Sequence, residues 1–305
     1  MSTNKLNAGV SCVIPTYNGS RDVVECVWSV LNSDYSNIEI IVVDNNSSDS
    51  TVKRLKRLFG KRNNFQLIES DANRGAAGGR NLGAKYSKSD YLLFIDNDNV
   101  IDKRMISYLA AYFESYQDCG MVGPLMKIKL DPRIIWLYSA NINLYTSKAS
   151  YLGSRQKDVG QYPDYLEVGH VPNCFMVKRK DFENVGGFDE KYFIMYEEAD
   201  LAEKIRRKLR KKIYIYTKAI TLHNAPLKSQ KGGNTSRIQL KERAYRTARN
   251  KVYFMRRNSN MIQFISFLMI FLPLISAFYI YQAYKFRKIE LATYYLKGVF
   301  EGFWL

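Results

Sequence analysis

Short apolar runs alternate with amphipathic stretches over the first 125 residues. Residues 10–14 read as a strand, residues 21–31 as a helix with Val23, Val27, Val30 and Leu31 on one side, and residues 38–43 as a second strand. The next helix spans about residues 50–59, with Val52, Leu55, Leu58 and Phe59 at helical spacing and capping candidates at 47–49. Strands follow at 65–68 and 91–95, separated by a glycine-rich segment at 73–83. Such alternation predicts an α/β fold with a mostly parallel sheet and right-handed crossovers, an architecture that binds nucleotides beyond the carboxyl ends of its strands. Residues 130–169 break the pattern, being rich in Tyr, Ser, Asn and Lys, and read as a variable, partly open region where a second substrate lies. Order returns with a strand at 175–178, a Gly186-Gly187-Phe188-Asp189 turn, a helix opening near Glu197 with Leu201, Ile205 and Leu209 on its core face, and a strand at 213–217.

The pattern changes again near the end. Residues 261–281 are apolar except for Gln263, Ser266 and Ser276, just enough to cross a bilayer core, which takes about 20 residues. Pro273 stands at the middle of this run, and Lys285, Arg287 and Lys288 lie beyond it. A kinked or re-entrant hairpin in one leaflet, with both ends cytoplasmic, accommodates both features better than a single pass. The soluble alternative is a long helix packed on the domain. The chain carries a net charge of +17, and residues 241–257 hold seven basic residues against one acid, Glu242. Basic residues beside an apolar stretch favour a membrane surface over nucleic acid. These shifts predict a catalytic domain at 1–235, a basic helix at 236–260 and an apolar membrane-associated region at 261–305, placed on the cytoplasmic face of the cell membrane. Cys12, Cys26, Cys119 and Cys174 are widely spaced and read as buried thiols of a reducing compartment. Residues 10–14 are too short for a secretory h-region.

Candidate chemistry gathers where strands end. The run 91–95 delivers Asp96-Asn97-Asp98, two carboxylates able to share a hard divalent cation, although an ordinary strand-ending turn has the same composition. Ile14-Pro15-Thr16-Tyr17-Asn18 closes the first strand, and Asp44 closes the second, where its carboxylate can accept from a base N–H. In the segment 73–83 small residues permit close approach of a ligand, and Arg74 or Arg80 can meet its negative charge. Glu197, Glu198 and Asp200 crowd one helix start, where the helix dipole alone favours carboxylates. His223 follows the strand-like 213–217 and precedes Gly232-Gly233.

In this order the motifs, with Gly186-Gly187-Phe188-Asp189 and Tyr196-Glu197-Glu198-Ala199-Asp200, resemble the family 2 glycosyltransferases over roughly residues 10–257. The resemblance implies a glycosyltransferase-A fold and single displacement with inversion, using a nucleotide-sugar donor, UDP- or dTDP-linked, and a glycan or lipid-linked acceptor. It implies Mg²⁺ or Mn²⁺ held by Asp98, with Asp96 and His223, and Glu198 as general base, with Glu197 and Asp200 as rivals. Asp44 would hold the base, Pro15 and Tyr17 would line the nucleoside pocket, and Arg74, Arg80 and Asn81 would lie near the nucleotide. Asp96 has the ribose or a metal-bound water as its other address. Two departures stand out: Glu198 is one methylene longer than the Asp common at that position, and Pro172-Asn173-Cys174 replaces a small Gly-Ala pair, which bears on the acceptor pocket's shape. Sugar-nucleotide synthesis is the rival enzyme class, but the first strand's end lacks a glycine-rich phosphate loop. A basic nucleic-acid-binding protein is the non-enzymatic rival, without a recognisable binding motif.

Overall fold

A computed structural model describes residues 8–226 and 240–305. Gly232, Gly233 and the expected boundary after residue 235 lie outside the described residues. The first half alternates β1 (Val10–Thr16), α1 (Asp22–Leu31), β2 (Ile38–Asp44), α2 (Thr51–Phe59), β3 (Phe65–Glu69), α3 (Gly75–Tyr86) and β4 (Tyr91–Ile95). Next come β5 (Asn99–Ile101), α4 (Met105–Ser115), β6 (Cys119–Ile128), β7 (Asp131–Leu137), β8 (Ser139–Ile142), β9 (Ala149–Leu152) and β10 (Tyr165–Glu167). The α/β part of the chain closes with β11 (Cys174–Lys178), α5 (Arg179–Val185), α6 (Glu197–Leu209) and β12 (Lys212–His223).

The main sheet orders its strands β10-β12-β6-β11-β4-β1-β2-β3, with β5 beside β12 and β7 beside β6. β3, β2, β1 and β4 are mutually parallel, and β12 runs parallel to β6. β11 is antiparallel to β4. The apolar runs are continuous because both faces of the sheet are covered. Tyr91, Leu93 and Ile95 of β4 join the core with α1, α2 and α4, while Leu92 and Phe94 join the core with α5 and α6. Four parallel strands therefore bring Thr16, Asp44 and Ile95 to one edge.

Two segments differ from the sequence expectation. The glycine-rich stretch is the helix α3, not a ligand-hugging loop. A Cβ at Gly83 would come within 2.4 Å of Val13 Cγ1, and one at Gly75, at φ +68°, within 2.3 Å of the Phe193 carbonyl oxygen. The small residues let α3 press on β1 and β2. β12 continues past the expected end at 217, through a register shift between Tyr216 and Ile220, and finishes on His223 opposite Asn99. That irregularity hides the last third of the strand from a period-two reading.

At the C-terminal side, α7 (Leu240–Asn258) leads to α8 (Met261–Ser266), a π-helical turn (Phe267–Phe271), α9 (Leu272–Lys285) and α10 (Ile289–Gly302). Pro273 has no N–H and crowds the carbonyl four residues earlier, and the helix relieves this through the wider π-turn. One side of this rod packs: Phe267 and Leu272 are buried with Tyr192, Ala199, Val252 and Phe254. The opposite side leaves Met261, Ile265, Met269, Leu274, Phe278 and Tyr281 exposed at near-helical spacing. The chain then turns back, Tyr279 stacks on Tyr295 at 4.2 Å, and α10 returns along α7 until Lys191 Nζ donates to the Leu305 carbonyl at 2.8 Å.

Candidate active site

Arg80 organises the centre. Its guanidinium is buried and donates through Nη2 to Asp96 Oδ1 at 2.6 Å and Glu198 Oε1 at 2.8 Å, and through Nη1 to Glu197 Oε1 at 3.1 Å. The rings of Phe175 and Phe188 lie beside it. Arg80 thus stands behind the carboxylates, its guanidinium engaged by all three. One cation faces three buried acids, which pushes their carboxyls towards the protonated form. Burial and repulsion from Glu198, opposed by Arg80, push the Glu197 carboxyl up to about 8. Burial also raises Glu198, against Arg80 and with help from Asp96. It raises Asp96 likewise, against Arg80 and with Asp98.

This has a consequence for stability. A carboxyl whose pKa is raised on folding binds more protons in the native state, so its contribution is full below the unfolded pKa and is lost as pH rises through the folded value. Glu197→Gln keeps the oxygen that Arg80 reaches and removes the titration. The melting temperature of this variant, relative to wild type, is expected to rise progressively between about pH 6 and about pH 8.5. A constant difference over that range would show that Glu197 does not titrate there.

Asp98 and His223 meet beside this cluster, with Asp98 Oδ1 3.6 Å from His223 Nε2. Their proximity follows from the β5–β12 pairing, which sets His223 against Asn99. The His223 ring rests on Trp136 at 4.3 Å. Asp96, the third expected metal ligand, has one oxygen committed to Arg80. Among the described residues no three His, Cys, Asp or Glu side chains converge as a complete metal cage. A carboxylate and an imidazole still fit Mg²⁺ or Mn²⁺, because such ions take one or two protein ligands and complete their shell with substrate phosphates and water.

On the far side of the strand ends, Asp44 is buried, and its Oδ2 accepts from the Ser47 N–H at 2.9 Å. Its Oδ1 is buried without a hydrogen-bond partner, an acceptor ready for a ligand N–H. Tyr17 is exposed nearby in sequence, but Pro15 is buried, close enough that a Cβ on Gly79 would lie 3.0 Å from it. Arg74 pairs with Asp71 at 2.9 Å. Asn81 clasps the glycine turn: its Nδ2 donates to the Phe188 carbonyl and its Oδ1 accepts from the Phe188 N–H, both at 3.0 Å. Pro15 thus packs against α3, Arg74 sits in a surface ion pair and Asn81 holds the glycine turn. Asp200 is also structural. Its buried carboxylate accepts from Asn258 at 3.0 Å and from Tyr192 at 3.2 Å, tying α6 to α7.

A cavity of about 830 Å³ opens on the other side of the cluster, lined among others by Trp136, Tyr151, His170, Pro172, Glu198 and Phe271. The irregular segment 130–169 does build part of its wall. Glu198 reaches the cavity while Glu197 is buried, its side chain only 3% exposed. Glu198 Oε1 is held by Arg80 and by the Asn173 N–H at 2.8 Å, which leaves Oε2 for a ligand. Burial, and then Arg206, lower His170 to about 4, so it stays neutral at the cavity wall.

Two further residues hold the site together, the first singled out in the sequence only for its bearing on the pocket's shape and the second not anticipated. Asn173, at φ +65°, accepts from the Asp96 N–H through its carbonyl, donates to Glu198 through its N–H, and lies with Nδ2 3.2 Å from His223 Nε2. It joins Asp96, Glu198 and His223, and asparagine tolerates the left-handed backbone that this requires. Asn250 of α7 is fully buried, and its Nδ2 donates to the carbonyls of Tyr192, Ile194 and Met195 at 2.8–2.9 Å. That clasp holds a loop in which Phe193, Met195 and Tyr196 all have positive φ, immediately before Glu197. Strain of this kind persists only when neighbours over-determine it.

The sequence matches the family model for glycosyl transferase family 2 over residues 11–186. It is 33% identical over 176 residues to the glycosyltransferase GlyG of Streptococcus pneumoniae serotype 4, covering 58% of each chain. Over 126 residues it is 35% identical to the Escherichia coli protein WfgD, a UDP-Glc:alpha-D-GlcNAc-diphosphoundecaprenol beta-1,3-glucosyltransferase, covering 37% of this chain and 49% of that one. The chain thus spans less than two thirds of these relatives' length. Its fold is similar to that of the mannosyltransferase PcManGT from Pyrobaculum calidifontis, solved with GDP-Man and Mn²⁺, at a TM-score of 0.60 and 14% identity, covering 97% of this chain and 87% of that one. The family match takes in more than half of the chain and ends just beyond β11 and α5, and with this sheet behind it the chain belongs to glycosyl transferase family 2, with the glycosyltransferase-A fold.

Proposed function

We propose that the protein transfers a sugar from a UDP- or dTDP-linked donor to a hydroxyl of a glycan acceptor carried on a lipid, with inversion at the anomeric carbon. The observation that carries this reading is the placement of Glu198, which lines the cavity while its Oε1 is held by Arg80 and by the Asn173 N–H. Glu198 Oε2 takes the acceptor proton as the hydroxyl oxygen bonds to the anomeric carbon, and the carbon–oxygen bond to the diphosphate breaks on the opposite face, its electron pair leaving with the nucleoside diphosphate. Asp98 and His223 would hold a divalent cation, which supplies Lewis-acid stabilisation of negative charge on the leaving diphosphate. Arg80 keeps the carboxylate group in place and limits its basicity. Asp44 receives the nucleobase N–H at its open oxygen.

The exposed apolar stripe supports attachment to a membrane surface, on its cytoplasmic side. Because Phe267 and Leu272 pack on the body, the rod lies along the domain and offers one apolar face to lipid. This is the geometry of an interfacial helix more than of a free span. Phe271 and Ile275 of the same rod line the cavity, which supports an acceptor site beside the membrane. The diphosphoundecaprenol-linked acceptor in the name of the similar WfgD points the same way. On this reading residues 1–235 carry catalysis, and α7 and the hairpin that follows seat the site against the membrane.

The test is release of nucleoside diphosphate from a panel of UDP, dTDP and GDP sugars, with Mg²⁺ or Mn²⁺ and lipid-linked acceptors. A UDP- or dTDP-sugar should be consumed. Asp98→Ala should lower kcat by about 10²-fold or more, and chelation of the metal should add little further loss in that variant. Undiminished turnover after either change would contradict the metal assignment, and no turnover with any donor would contradict the activity.

A further inference from the structure

Helix α7 carries seven basic residues, and most are engaged within the fold. Lys241 pairs with Glu290, Arg246 with Glu242, and Arg257 with Asp189 and Asp200. Arg249 donates to the carbonyls of Lys191 and Tyr192, and Arg256 to that of Phe303. Arg243 and Lys251 are the exceptions, without a carboxylate partner among the described residues. Both line the acceptor cavity, with Thr247 between them. Spacing of four residues sets the three side chains on one helix face, along about 12 Å of axis. Lys251 is half-buried there, and that desolvation lowers its ammonium pKa. A charge removed from water with no partner is costly, and an anionic ligand removes the cost.

The rest of the cavity says what sort of anion. Glu198 occupies one wall and repels a negative group placed next to it, so the anion belongs on the α7 side. Phe271 and Ile275 supply an apolar wall on the side of the hairpin. The ligand must present a hydroxyl to Glu198, a negative group to α7 and a hydrocarbon to the hairpin. We propose that Arg243 and Lys251 form a phosphate-reading subsite that takes an acceptor sugar esterified through phosphate or diphosphate to a lipid. This rests on the reading of the cavity as the acceptor site, and it adds which residues recognise the linkage.

The test uses the full chain in non-ionic detergent, its donor site saturated with UDP and Mn²⁺, and titrates farnesyl diphosphate, farnesol and inorganic pyrophosphate by calorimetry. Farnesyl diphosphate should bind more tightly than pyrophosphate, and Arg243→Gln and Lys251→Gln should each weaken it about tenfold, the loss of one charge-assisted contact. Farnesol binding should not respond to either change. Lys241→Gln, which removes an equal charge from the same helix, should change farnesyl diphosphate affinity by less than about twofold. Equal affinity in wild type and both cavity variants, or an equal loss in Lys241→Gln, would overturn the subsite. Pyrophosphate binding as tightly as farnesyl diphosphate would overturn the lipid part of the assignment. A UDP-induced rise in melting temperature, measured on each protein, separates the cases. If it is missing in wild type the glycosyltransferase reading fails, and if it is present with unchanged farnesyl diphosphate affinity only this inference fails.

Discussion

Replacing Arg80 by leucine is expected to abolish transfer and to lower the melting temperature by about 10 °C. The magnitude follows from removing one member of a buried ionic cluster, which costs about 3–5 kcal/mol because the remaining charges stay buried and uncompensated. Here the remainder is Asp96, Glu197 and Glu198, all previously held within 3.1 Å of one guanidinium. Arg80→Lys should rescue little, since a single ammonium cannot reproduce a planar fork that serves three carboxylates. The loss of stability should shrink as pH falls, because protonation removes the repulsion that Arg80 restrained. Thermal melts at about pH 5.5 and about pH 8 measure this directly. A pH-independent loss would show that Arg80 acts through packing alone.

Glu198→Gln is expected to reduce turnover by about 10²- to 10⁴-fold while donor binding persists. The amide oxygen can still accept from Arg80 and Asn173, so the frame of the site is kept and only proton acceptance is lost. Glu198→Asp should retain partial activity. Its shorter side chain loses either the Asn173 N–H or the reach into the cavity. The wild-type rate should rise with pH through the ionisation of Glu198, which burial places above the ordinary carboxylate range.

The sequence was most legible where physics leaves few choices. A strand covered on both faces must be apolar throughout, and Tyr91–Ile95 was bounded to the residue for that reason. The order of Asp44, Asp98, Glu198 and His223 along the chain survived into space, because parallel strands deliver their ends to one edge and β12 brings His223 back to Asn99. The helix α3 looked like a phosphate loop because glycine and alanine carry no amphipathic signal, and the three acids that Arg80 meets are distant from it in sequence. The partners that hold Asp200 and Asn81, Asn258 and Phe188, are distant in sequence and leave no local signal. Asn173 and Asn250 act through backbone groups, and a linear motif does not register such contacts.

The central claim is that Glu198, and not the neighbouring Glu197, accepts the proton at the acceptor cavity. It is tested most directly by single-turnover release of nucleoside diphosphate from bound donor and acceptor, in Glu198→Gln and Glu197→Gln side by side, with donor affinity measured on each. The structure predicts that Glu198→Gln binds donor as wild type does yet loses at least about 10²-fold in the chemical step, and that Glu197→Gln keeps most of it. Near wild-type release in Glu198→Gln, or loss confined to Glu197→Gln, would contradict the account.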